Sequence, residues 1–149
     1  MPVERIEQPY MQFNFVVEID GTAVAGFQEV SGIGTEVTTT EYRVGTDPDN
    51  NVRKLSGLNK VSDVTLKRGI MGTAFMFSWI DEVRTGKPGA LKSMRILLRS
   101  EDRSNEQPVM SWGLKNARAI KLTYGPLNAK GSDVAMEEVV VAYERLTLE

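Results

Sequence analysis

The residues of this chain that come nearest to a chemical site are carboxylates and glycines at suggestive spacings, and each set fails at a required position. Asp47-Pro48-Asp49-Asn50-Asn51 places oxygens at alternate positions, as a calcium loop does. The sixth position, where such a loop turns on glycine, is Val52, and the twelfth, where it needs an acid, is Leu58. A polar turn is the reading that remains. Gly86-Lys87 has the ending of a phosphate-cradling loop, but the first glycine of that pattern is replaced by Asp81 and the residue after the lysine is Pro88. Gly32-Ile33-Gly34 leads into a β-branched stretch instead of a helix N-terminus, so it is no dinucleotide fingerprint. Asp81 and Glu82 are adjacent on a helical pattern and point in different directions, which suits a solvated face better than an acid/base pair.

The chain has no cysteine and no histidine. Thiolate nucleophiles, disulfides, Cys/His zinc sites and histidine-dependent triads are therefore excluded. Arg53-Lys54, Lys67-Arg68, Arg95 and Arg99 could touch phosphates, but few aromatics are interleaved with them for base stacking. No catalytic, cofactor-binding or metal-ligating residue is nominated, no cofactor is expected, and the chain reads as a non-enzyme.

The elements that would position these residues are mostly strands. Phe13, Phe15, Val17 and Ile19 alternate with polar residues, the period of two that gives a strand one buried face. Asp20-Gly21 predicts a hairpin turn, with residues 24–30 as the returning strand. Residues 36–44, with Thr38-Thr39-Thr40, predict a third strand. Residues 45–58 are polar and irregular, carry Pro48 and Gly57, and predict a long working loop. Residues 60–68 resume alternation. Phe75, Met76, Trp79, Ile80 and Val83 then form an apolar stripe at helical spacing, with Thr73 able to cap its start, Gly86 able to end it and Pro88 forbidding continuation. Two strands around Met94-Ile96-Leu98 and Met110-Trp112-Leu114 flank a charged loop at 101–107, and 117–122 is a weaker strand candidate. Residues 134–148 contain neither Gly nor Pro, and unbroken they would reach roughly 50 Å. That segment should bend between sheets or run out to pair with something else.

At 149 residues, 41% hydrophobic and 26% charged, the composition is that of one globular domain spanning 1–149. The longest apolar run, Val139-Val140-Val141-Ala142-Tyr143, is far short of a membrane-crossing helix. Acids near the start, Glu4 and Glu7, stand where a signal peptide needs a basic and then an apolar stretch, so synthesis and folding in the cytoplasm are expected. The net charge of −2 hides a segregation: residues 1–50 carry nine acids against two bases, 51–130 fifteen bases against six acids, and 131–149 five acids against one base. Three uses suit a basic middle between acidic ends: pairing within the fold, joining copies, or binding nucleic acid.

Several separated motifs also occur in a recognisable order: Phe13-Asn14-Phe15-Val16-Val17-Glu18-Ile19-Asp20-Gly21, Val24-Ala25-Gly26-Phe27-Gln28-Glu29-Val30-Ser31-Gly32-Ile33, Glu41-Tyr42-Arg43, Arg53-Lys54-Leu55-Ser56-Gly57-Leu58, Val64-Thr65-Leu66-Lys67-Arg68-Gly69, Leu127-Asn128-Ala129-Lys130 and Val134-Ala135-Met136-Glu137. Together they cover nearly the whole chain, which resembles the phage tail tube protein family, including inner-tube subunits of extracellular contractile injection systems. It departs from the family's pattern at Ser56, often proline there, and near Arg145, where the closing strand often has a glycine.

The resemblance implies a mainly β fold: two packed antiparallel sheets in a barrel-like sandwich, one flanking helix and a long loop. It further implies six copies closing into a ring through strand edges, and rings stacking into a hollow tube that delivers cargo. Sheath, baseplate and tube-initiator proteins would be partners, with assembly in a bacterial or archaeal cytoplasm and release of some particles from the cell. By resemblance, subunit contacts fall on Gly45, Thr46, Asp47, Asp49, Arg53, Lys54, Leu55 and Leu58. A tube-initiating baseplate ring, a type VI secretion tube subunit, a small-ligand-binding β-barrel and an enzyme stay open as alternatives.

Overall fold

In a computed structural model, the structure describes residues 15–24, 27–43, 45–46, 52–70, 72, 74–100 and 108–149. Phe13, Asp47, Asp49, Thr73 and the expected loop at 101–107 lie outside them.

The fold is mainly β. Strands β1 (Phe15–Ile19) and β2 (Thr22–Val24) form the expected hairpin. Asp20 and Gly21 both adopt positive φ, at 52° and 80°, which is the turn whose twist matches that of the flanking strands. The returning strand is shorter than its pattern suggested, because β3 (Phe27–Ser31) leaves β1 and pairs instead with β6 (Val64–Gly69). Among the described residues, strands β4 (Thr35–Tyr42) and β5 (Arg53–Val61) pair only with each other. Helix α1 (Phe75–Arg84) follows, then β7 (Lys92–Arg99), β8 (Pro108–Tyr124), β9 (Met136–Ala142) and β10 (Arg145–Leu148).

β8 belongs to two sheets. Its first half pairs with β7 and β10 in a first sheet, β2-β1-β7-β8-β10, and its second half pairs with β9 in a second sheet, β8-β9-β6-β3. The bend between them has a local cause. Asn116 sits at φ 53° where the β7–β8 register shifts, an extra residue that turns the strand, and its amide donates to Glu144 at 2.8 Å. The 134–148 segment bends at the same corner, at Tyr143 and Glu144, so it passes from the second sheet into the first as one of the two expectations had it.

The inner faces meet in one apolar cluster: Val17 and Ile19, Met94 and Ile96, and Leu114 from the first sheet, with Val64, Leu66, Val139 and Val141 from the second. Met76 and Trp79 of α1 join it, and the Trp79 indole donates to the Ala90 carbonyl at 2.8 Å, so its one polar atom is satisfied in the core. The helix starts at Ala74 without a side-chain cap. It ends as its sequence indicates: Gly86 at φ 73° lets its own N–H reach Val83 and that of Lys87 reach Glu82. We expect Gly86→Ala to cost about 1 kcal/mol by chemical denaturation, because alanine is strained at that φ.

Part of the charge segregation is taken up by pairing within the fold. Bases from the middle of the chain meet acids from its ends: Arg68 with Glu137, Lys92 with Asp20, Arg95 with Glu18 and Glu149, and Lys67 with both Glu29 and Glu138. Tyr143 is buried, and its hydroxyl donates to the Gly34 carbonyl at 3.3 Å. Burial holds its ionisation above the ordinary tyrosine value more than that hydrogen bond lowers it.

Candidate functional site

The β4–β5 ribbon stands apart from the sandwich. Thr35 pairs with Val61 at its base and Tyr42 with Arg53 near its tip, with a bulge between Val37 and Thr39. Gly57 lies at that irregularity, where a Cβ would come 2.6 Å from the Thr38 hydroxyl, so only glycine lets the strands approach there. Nearly every residue of both strands is exposed. Leu58 is 78% exposed, Tyr42 53% and Leu55 51%. A two-stranded ribbon with neither face covered is marginal in water, and its outer edges present unpaired backbone groups. Both deficits are removed when a partner covers it.

The expected contact residues divide here. Gly45 and Thr46 form a turn near the tip, Asp47 and Asp49 lie outside the described residues, and Arg53, Lys54, Leu55 and Leu58 are on strand β5, not in a loop. The polar reading of 53–58 missed a strand because a period-two signal arises only where one face is buried, and here both are wet. The β-branched partner, with Thr38, Thr39 and Thr40, was the available signal. Lys54 stands opposite Glu41 and Lys60 opposite Glu36, so the ribbon carries its own cross-strand charge pairs, while Arg53 stands opposite Tyr42.

Both edges of the second sheet are also open among the described residues. Among the described residues, β3 pairs only with β6, and β8 beyond Ala117 pairs only with β9. An apolar groove of about 890 Å³ runs beside β3, lined by Phe15, Phe27, Val30, Ile33, Ile96 and Trp112 among others. Among the described residues, its walls offer no titratable group beyond Glu29. Among the described residues, no group of three acids could hold a metal ion, and no helix is long and apolar enough to cross a membrane.

No curated protein matches the chain by sequence. Solved structures do. A chain in the extended sheath–tube complex of an extracellular contractile injection system, PVC, is 26% identical, with a TM-score of 0.83 over 97% of this chain and 93% of that one. A chain in the sheath/tube terminator of the same system is 25% identical, with a TM-score of 0.84 over 97% and 99%. Hcp1 from Flavobacterium johnsoniae, at 10% identity and a TM-score of 0.54 over 91% of this chain and 94% of that one, shares the fold alone. The family model for the T4-like virus tail tube protein gp19 matches residues 11–147, from before the first described strand into the last, and this chain belongs to that family.

Proposed function

We propose that this chain, as one tail-tube domain, is a structural subunit of the inner tube of a contractile phage-tail-like injection system, in which six copies close into a ring and rings stack into a hollow conduit for cargo. The observation that carries it is the bare β4–β5 ribbon on a chain of tail tube ancestry: an element that is costly for a monomer and useful to a polymer. A ring needs two different complementary surfaces on each copy, and stacking needs a further pair along the axis. The ribbon supplies the contacts between copies, through Gly45, Thr46, Asp47, Asp49, Arg53, Lys54, Leu55 and Leu58.

Sheath and baseplate proteins are the partners outside the tube, a tube initiator is the partner at its end, and a protein cargo fits the lumen. Assembly takes place in the cytoplasm, and the finished particle works outside it. The much greater likeness to the extracellular system than to Hcp1 favours the former over a type VI tube. Electron microscopy of the purified chain, alone at high concentration and on a baseplate, tests the reading. Rings or tubes are expected. A chain that stays monomeric in both settings and is missing from particles of its source rejects it.

Charge contributes a smaller share. Because Lys54 already faces Glu41, Arg53 is the cleaner probe of contacts between copies. An exposed pair is worth only about 0–1 kcal/mol and is screened by salt. Arg53→Glu should slow tube growth several-fold at low salt, a difference that narrows at roughly 0.5 M salt while thermal melting of the monomer stays unchanged. Equal growth rates at low salt would assign Arg53 no part in assembly.

A further inference from the structure

Among the described residues the ribbon's strands pair only with each other, and the ribbon joins the sandwich through two short stretches of chain, 32–34 before β4 and 62–63 after β5. Two such connections by themselves make a hinge. Three kinds of contact gather at its base. Ile33 and Val61 pack against the apolar cluster. Gly32, at φ 88°, brings the first connection so close to the second that a Cβ there would stand 2.4 Å from the Asp63 carbonyl oxygen. The Gly34 carbonyl accepts twice, from the Ser62 N–H at 3.1 Å and from the Tyr143 hydroxyl at 3.3 Å.

Those two hydrogen bonds do different things. The Ser62 bond ties one connection to the other, so it travels with the ribbon when the ribbon swings. The Tyr143 bond reaches across from the corner between β9 and β10, and that corner is itself held. The Tyr143 ring sits in the core at 6% exposure, the Glu144 N–H donates to Lys115 at 2.9 Å, and the Asn116 amide donates to the Glu144 carboxylate. The hydroxyl is thus a fixed point on the body. Burial raises its ionisation above the ordinary tyrosine value, so it stays a donor at neutral pH.

We propose that Tyr143 is the positioning residue of the ribbon: its hydroxyl, bonded to Gly34, sets the direction in which β4 and β5 leave the sandwich and so the place where the tip meets a second copy of this chain. The consequence for assembly rests on the tube reading, and the positioning itself does not. Leverage makes one bond matter. The eight residues of β4 reach about 26 Å at ordinary strand rise, so a swing of about 10° at the base carries the tip by about 4–5 Å, far more than a packed side-chain contact tolerates. The monomer loses little by comparison, since Tyr143→Phe keeps the ring in the core and leaves the Gly34 carbonyl its Ser62 partner.

The chain has no cysteine of its own, so engineered ones carry spin labels at chosen places only. Thr40→Cys/Lys121→Cys puts one label on the ribbon and one on β8, both at exposed positions, and Lys87→Cys/Lys121→Cys puts both labels on the body as the control. Pulsed dipolar electron spin resonance reads each distance in the full chain, with Tyr143 and with Tyr143→Phe, at a concentration below assembly, and melting curves confirm the fold. The ribbon distance should be narrow with Tyr143 and broadened or displaced with Tyr143→Phe, while the body distance holds. In unlabelled chains, Tyr143→Phe should raise the concentration needed for tube growth about fivefold. An unchanged ribbon distance overturns the assignment, whatever the tubes do. A changed distance with growth at the usual concentration overturns the link to assembly. Failure of the unsubstituted chain to assemble, alone or on a baseplate, overturns the tube reading and leaves the distances to decide the role of Tyr143.

Discussion

Replacing Leu55 and Leu58 together by aspartate should abolish tube growth and leave the monomer folded. Both side chains lie mainly in solvent on β5, so the monomer loses little, and its melting temperature should stay within about 2 °C. At a contact between copies the loss is large. Each leucine forgoes on the order of 1–2 kcal/mol of burial, and each new carboxylate must be stripped of water. Two substitutions recur on every copy that joins. The concentration needed for growth should rise at least about a hundredfold, at ~1.4 kcal/mol per tenfold. Sedimentation and electron microscopy read the outcome, and tubes of normal length at the usual concentration would remove the ribbon from the assembly surface.

The second large effect is on stability. Arg68 and Glu137 are paired across β6 and β9 on the buried face of the second sheet, with side-chain exposures of 4% and 6%, and the Arg68 guanidinium also lies 5.5 Å from the centre of the Phe27 ring on β3. Arg68 therefore ties the edge strand to the middle of its sheet. Removing one partner of a buried pair leaves a desolvated charge, at a cost of about 3–5 kcal/mol. Arg68→Met should lower the melting temperature by roughly 10 °C or more for a chain of this size. Arg68→Met/Glu137→Leu should recover most of the loss, because replacing both ions by apolar groups of similar volume is often neutral. A double variant as unstable as the single one would mean that the stability comes from Arg68's packing instead of its charge.

Legibility in the sequence followed burial. β1, β6 and β7 each set one face into the core and the other toward water or the sheet's outer side, so apolar residues alternate along them and the period of two is visible. The helix was visible for the same reason at a period near 3.6, with Met76 and Trp79 as its most buried residues and Gly86 where the chain must adopt positive φ. β5 buries neither face until Val61, so its residues carry no periodic mark.

By itself, the sequence determined that the chain is mainly β with one helix, that its chemistry is not that of histidine or cysteine, and that its ordered motifs resemble the tail tube family, because composition, local turns and one-sided burial are written in neighbouring residues. Tertiary structure alone decided the rest. It showed that 108–124 is one strand shared by two sheets, that β3 deserts the first hairpin for β6, and that several acids of the chain's ends pair with bases of its middle. It also showed that residues 53–58 of the expected loop lie on one strand of a bare ribbon. Each of these depends on pairing between residues far apart in the chain, where register is set by the packing of whole sheets and no local pattern records it.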